Sequence, residues 1–112
     1  MVINQKELLK DLRAKITDFA YPLTLENVFL DDKYDDLVNF LILLTRYLKD
    51  EEYILKGIAI ELMLTISSIE NFQGAYPKKE IRDKAEMLEE LLNNIYSGEV
   101  YGDRIPGIPR IV

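Results

Sequence analysis

Four separate stretches of this chain repeat apolar residues at helical spacing, and that periodicity limits it to an all-α fold. In the first stretch Leu8, Leu12, Ile16 and Phe19 recur on one face, with Leu9 beside them. Asn4 followed by Glu7 is a capping-box signature, so a helix is expected from Gln5 to about Ala20. Pro22 disfavours helical geometry at Tyr21 and should end it there. A short turn of helix, started by Thr24, is expected at Leu25 to Phe29.

A second helix is expected from near Asp32 to about Lys49. Leu37, Phe40, Leu41, Leu44 and Leu48 form its stripe, and Val38, Ile42 and Leu43 widen it. Such apolar girth implies burial on more than one side. Asp50 reads as the cap of a third helix that reaches about Ile69, a junction short enough to form a tight antiparallel hairpin. Ile54, Leu55, Ile58, Leu62, Ile66 and Ile69 face the core of that helix, and Ile60, Met63 and Leu64 enlarge the face. Gly57 lies inside it, where glycine is disfavoured by about 1 kcal/mol relative to alanine. Either a neighbouring helix approaches closely there, or the glycine is merely tolerated.

Asn71 to Tyr76 reads as a loop, and Pro77 suits the first turn of a fourth helix. Ile81, Ala85, Leu88, Leu92 and Ile95 share one face of that helix, and Gly98 is the expected left-handed residue past its end. The expected architecture is an irregular four-helix bundle over residues 1–98. Residues 99–112 form an extended tail, because Gly102, Pro106, Gly107 and Pro109 exclude a helix. In polyproline geometry Ile105, Ile108 and Ile111 line one edge. That edge should pack on the chain's own bundle, dock on a partner or a second copy, or stay disordered.

Composition narrows the function. The chain has 112 residues, enough for one domain, and contains neither cysteine nor histidine. Disulfides, thiolate metal sites, Ser-His-Asp and Cys-His nucleophile systems and His-dependent zinc sites are therefore excluded. Net charge is −6, and no cluster of Lys and Arg exceeds two adjacent residues. Nucleic acid, which needs a basic face, is an unsuitable partner. The longest apolar region, Tyr53 to Ile69, is broken by Lys56 and Glu61, so no membrane span is expected. Residues 1–20 alternate charged and apolar side chains and lack the pattern of a secretory signal. A cytoplasmic location is the default expectation.

The densest charge cluster is Asp31-Asp32-Lys33-Tyr34-Asp35-Asp36. Read literally it contains DDxxD, which holds Mg²⁺ in isoprenoid synthases. Those enzymes need a far larger fold and a second metal motif, both missing here. Acidic residues at a helix start complement the macrodipole, with Asp32 able to cap. Asp50-Glu51-Glu52 invites the same explanation at the third helix. Glu86 and Glu89 form an ExxE pair of the kind used by small all-helical Mg²⁺-dependent nucleotide pyrophosphohydrolases, but a second pair in register is missing.

Seven tyrosines accompany these carboxylates, and tyrosine is favoured at binding surfaces. Small size, absent His and Cys, helical hairpins and acidic clusters beside tyrosines give the chain a resemblance in type to small acidic helical immunity proteins. Bacteria keep such proteins in the cytosol against nuclease toxins. The resemblance implies a non-enzymatic protein, without cofactor or metal, that occludes a basic toxin surface. The candidate partner-binding residues are Asp31, Asp32, Tyr34, Asp35, Asp36, Asp50, Glu51, Glu52 and Tyr53, with Tyr34 and Tyr53 as anchors. A helical adaptor or oligomeric subunit, docking through the tail, is the second reading.

Overall fold

The computed structural model describes residues 4–102. Four helices make up the described chain: α1 (Gln5–Leu25), α2 (Asp31–Tyr47), α3 (Lys56–Glu70) and α4 (Lys78–Ser97), with no strand among the described residues. The expected all-α four-helix bundle is the fold observed. Its core gathers one stripe from each helix. Leu12, Phe19 and Leu23 of α1, Leu37, Leu41 and Leu44 of α2, Ile58, Leu62 and Ile69 of α3, and Leu88 and Leu91 of α4 are all buried. Each such side chain withdrawn from water contributes about 1.5–3 kcal/mol to folding.

Two helix ends follow the sequence signals. Asn4 Oδ1 accepts hydrogen bonds from the Lys6 and Glu7 amides at 3.1 and 3.2 Å, satisfying two of the amides a helix start leaves bare. Gly98 adopts φ +77° after α4, and its amide binds the Asn94 carbonyl.

Three boundaries differ from expectation. Helix α1 runs through Pro22 to Leu25, because Leu23 and Phe19 both bury against the core and that packing outweighs the local preference of the Tyr21-Pro22 pair. No separate turn of helix follows at 25–29. Helix α2 starts one residue before Asp32, with Leu30 at the cap position and no side-chain cap. The third difference is the largest. Asp50 caps nothing: α3 begins at Lys56, so an eight-residue strap, 48–55, replaces the expected hairpin.

The strap sets the topology. Close helix pairs are α1 with α2, α3 with α4, α1 with α3, and α2 with α4, whereas α2 and α3 have no close backbone approach. Helices α2 and α3 are therefore diagonal, and the strap crosses one end of the bundle between them. Contacts Leu55 to Gln5, and Glu61 to Arg13 at 3.2 Å, advance together along both chains, so α1 and α3 run parallel. Gly57 lies on that seam, where an added Cβ would come 2.8 Å from Leu9 Cδ2. Helix α1 thus passes close to this glycine, with the Leu9 side chain filling the space a Cβ would take. At the opposite end an added Cβ on Gly74 would lie 2.5 Å from the Asn27 carbonyl oxygen. Only glycine lets the loops 26–30 and 71–77 meet this closely.

After Gly98 the chain turns back on the bundle. Val100 is buried, and the Tyr101 amide donates to Thr45 Oγ at 3.1 Å. The packed unit thus extends beyond residue 98, and the first part of the tail packs in cis. Ile105, Ile108 and Ile111 lie outside the described residues.

Candidate functional site

The two acidic clusters lie at opposite ends of α2, roughly 25 Å apart for a 17-residue helix, and they have different surroundings. At the N-terminal end of α2 the cluster is built into the structure. Tyr34, expected at the surface, is buried at 3% exposure. Its ring packs edge-on to Phe19 at 5.7 Å, and its hydroxyl donates to the Lys84 carbonyl at 2.8 Å. Burial, followed by the nearby Asp35, drives its phenol well above the ordinary range. A surface anchor role for Tyr34 is therefore corrected: its three-residue offset from Leu37 places it on the core stripe.

The carboxylates around Tyr34 have internal tasks as well. Asp31 accepts from the Tyr76 hydroxyl at 2.6 Å, tying the start of α2 to the loop before α4. Asp36 pairs with Lys15 of α1 at 2.8 Å, which holds its carboxyl below the usual range. Phe29 and Tyr76, with ring centroids 4.6 Å apart, complete an aromatic plug at this end. Asp32 and Asp35 are exposed.

The other end carries the strap, and here the surface is presented rather than consumed. Gln5, the first residue of α1, grips the strap three ways. Its side-chain amide donates to Glu51 Oε1 and to the Tyr53 carbonyl, and its Oε1 accepts from the Leu55 amide at 2.8 Å. From α4, the Tyr96 hydroxyl donates to the Leu55 carbonyl at 2.9 Å and accepts from the Ala59 amide at 3.1 Å. Partial burial raises the Tyr96 phenol, with the Ala59 bond opposing. Leu48 is buried beneath, and Ile54 and Leu55 pack against the core.

Between these fixed points the chain turns Asp50, Glu52 and Tyr53 outward. Tyr53 is 77% exposed, the highest value among the large apolar and aromatic side chains exposed on the described surface. Tyr47 at the end of α2 and Tyr96 are exposed at the same end. A shallow groove of about 430 Å³ runs along α4 from Glu86 to Glu99, lined by Glu86, Glu89, Glu90 and Glu99. Arg46, Lys49 and Lys56 flank the strap's three carboxylates in sequence, and Glu90 and Glu99 stand toward the C-terminal end of α4. No three carboxylates among the described residues converge as a metal site would require.

Of the candidate residues, then, Asp50, Glu51, Glu52 and Tyr53 form one pinned surface, while Asp31–Asp36 form another whose tyrosine is internal. Two participants were not legible in the sequence. Gln5 carries no local mark of its long-range role. Tyr96 follows the buried Ile95 and so reads only as the rim of a stripe.

The fold defines a class: a small all-α four-helix bundle, here with exposed tyrosines at one end. Compared with protein-family models, with curated proteins and with solved structures, the chain matches none. No described helix is long and apolar enough to cross a membrane.

Proposed function

We propose that this chain is a non-catalytic protein-binding domain of the cytoplasm whose partner is a basic protein. In its most specific form it is an immunity protein that covers the active surface of a nuclease-type toxin. The observation that carries this reading is the strap. Two bonds from Gln5 and one from Tyr96 hold its backbone, and a third from Gln5 holds the Glu51 side chain, yet Tyr53 projects into solvent. A surface held in shape before contact loses little conformational freedom on binding, which is where much affinity is otherwise lost.

The division of labour follows from the chemistry. Asp50, Glu52 and the α4 glutamates attract a cationic surface over a distance of about one Debye length, ~8 Å at physiological salt, and so raise the association rate. Tyr53 then supplies the desolvated contact that slows release. Asp32 and Asp35 add to the net charge of −6 from the far end of α2 without joining the contact.

The test uses the intact chain as bait in extracts of its source organism, beside Tyr53→Ala and Asp50→Lys/Glu52→Lys variants. The wild type is expected to retain a cationic protein that the double charge reversal loses. Tyr53→Ala is expected to speed release about tenfold or more, consistent with the weight of a central tyrosine. Association measured by surface plasmon resonance should slow as ionic strength rises. Retention of an acidic protein, or an association rate indifferent to salt, would sink the proposal.

A further inference from the structure

The outer face of α3 was expected to be core and is not. Ile60, Met63 and Leu64 are 45%, 60% and 62% exposed, because α3 packs only on α1 and α4. At 3.6 residues per turn Lys56, Ile60, Met63, Leu64, Ser67 and Glu70 fall on one arc of roughly 120°, and all six are exposed. The arc has a definite order. A cation stands at the first residue of the helix, apolar side chains fill the middle, a small hydroxyl follows, and an anion stands at the last residue.

This order runs against the helix's own electrostatics. The N-terminal end of a helix favours anions and the C-terminal end favours cations. Yet α3 has no acidic residue in its first turn and no basic residue in its last. Placed antiparallel beside a second α3, the same charges become favourable. Met63 lies midway between Lys56 and Glu70, so a two-fold axis near Met63 brings Lys56 of each copy to Glu70 of the other. Each Lys56 then also meets the negative end of the opposite helix. Met63 and Leu64 face their counterparts across the axis, and Ile60 lies against the small Ser67. A single patch that satisfies itself under a two-fold rotation is what an isologous contact requires.

We infer that the chain self-associates through α3, forming a two-fold dimer in which the two α3 helices run antiparallel with Lys56 of each copy facing Glu70 of the other. One 15-residue helix per copy is a small contact, so the dimer is weak, with dissociation in the micromolar range expected for interfaces at the low end of the size scale. The inference does not rest on the partner proposed for the strap: its centre is Met63, and only Lys56 lies next to the strap.

Sedimentation equilibrium across micromolar to millimolar concentrations tests it. The wild type is expected to shift from monomer to dimer. Met63→Glu is expected to weaken dimerisation at least a hundredfold while leaving the far-ultraviolet circular dichroism and thermal midpoint in place, since the side chain is already exposed. Lys56→Glu and Glu70→Lys should each weaken the dimer about tenfold, and the double reversal should restore it. A wild-type chain that stays monomeric throughout overturns the inference, whether another protein or another part of the chain covers the face. A dimer insensitive to Met63→Glu, or one that the double reversal fails to rescue, overturns it too.

Discussion

Tyr76 sits half in water, yet its proton is held up to about 12, chiefly by its hydrogen bond to Asp31 and next by burial. The bond needs the neutral phenol as donor. Because the folded value exceeds the ordinary 10.0, its stabilisation is complete below about pH 10 and is lost as the pH climbs toward 12. Tyrosinate absorbance followed during an alkaline titration is expected to show Tyr76 ionising late. In Asp31→Asn that step should move back toward the ordinary range, with α2 and the 71–77 loop becoming less firmly joined. A Tyr76 that ionises in the ordinary phenol range would contradict the bond. At this scale the sequence was partly readable. Asp31 stood out as a charge beside a helix start, but its partner lies 45 positions away, and nothing local marks a contact of that kind. Tyr34 was misplaced for a related reason: its acidic neighbours suggested a surface, while its helical phase put it in the core.

At the scale of elements, most of the stripes on α1, α2 and α4, the Asn4 cap and the Gly98 stop were legible because each is set by residues within a few positions of one another. Even so, α4 buries Leu91 more fully than the expected Leu92, and Leu43 of α2 faces water. The strap was not. Asp50-Glu51-Glu52 has the composition of a helix start, and only the need to cross from α2 to its diagonal neighbour explains why the chain stays non-helical to Leu55. The outer face of α3 was misread because apolar girth was taken for burial, when a corner helix with two neighbours leaves its third side open. The strap's shape depends on Gln5, so Gln5→Ala is expected to destabilise the fold by about 1–3 kcal/mol, the range for stranding hydrogen-bonding groups at least partly shielded from water. Urea denaturation measures this directly. The same substitution should slow association with the strap's partner or speed its release, since Tyr53 would no longer be held in place. An unchanged denaturation midpoint would show that Gln5 does not govern the strap.

For the molecule as a whole, the carboxylates are divided between an end where two of them tie helices together and an end where several face outward. Net charge alone cannot distinguish these, which is why the two clusters could be told apart only once the helices were placed. The diagonal crossing has a consequence of its own. Helices α1 and α2 form one hairpin and α3 and α4 another, and the strap is the sole covalent link between them. Each hairpin's apolar stripe is completed in part by the other, through the α1–α3 and α2–α4 seams. Two polypeptides cut at Asp50 should accordingly seek each other out and reassemble, regaining on mixing the helical signal that each lacks alone; circular dichroism of the separate and combined halves would reveal it. The bundle behaves as a complementary pair of half-molecules, and the acidic strap is the splint that keeps them in stoichiometric supply.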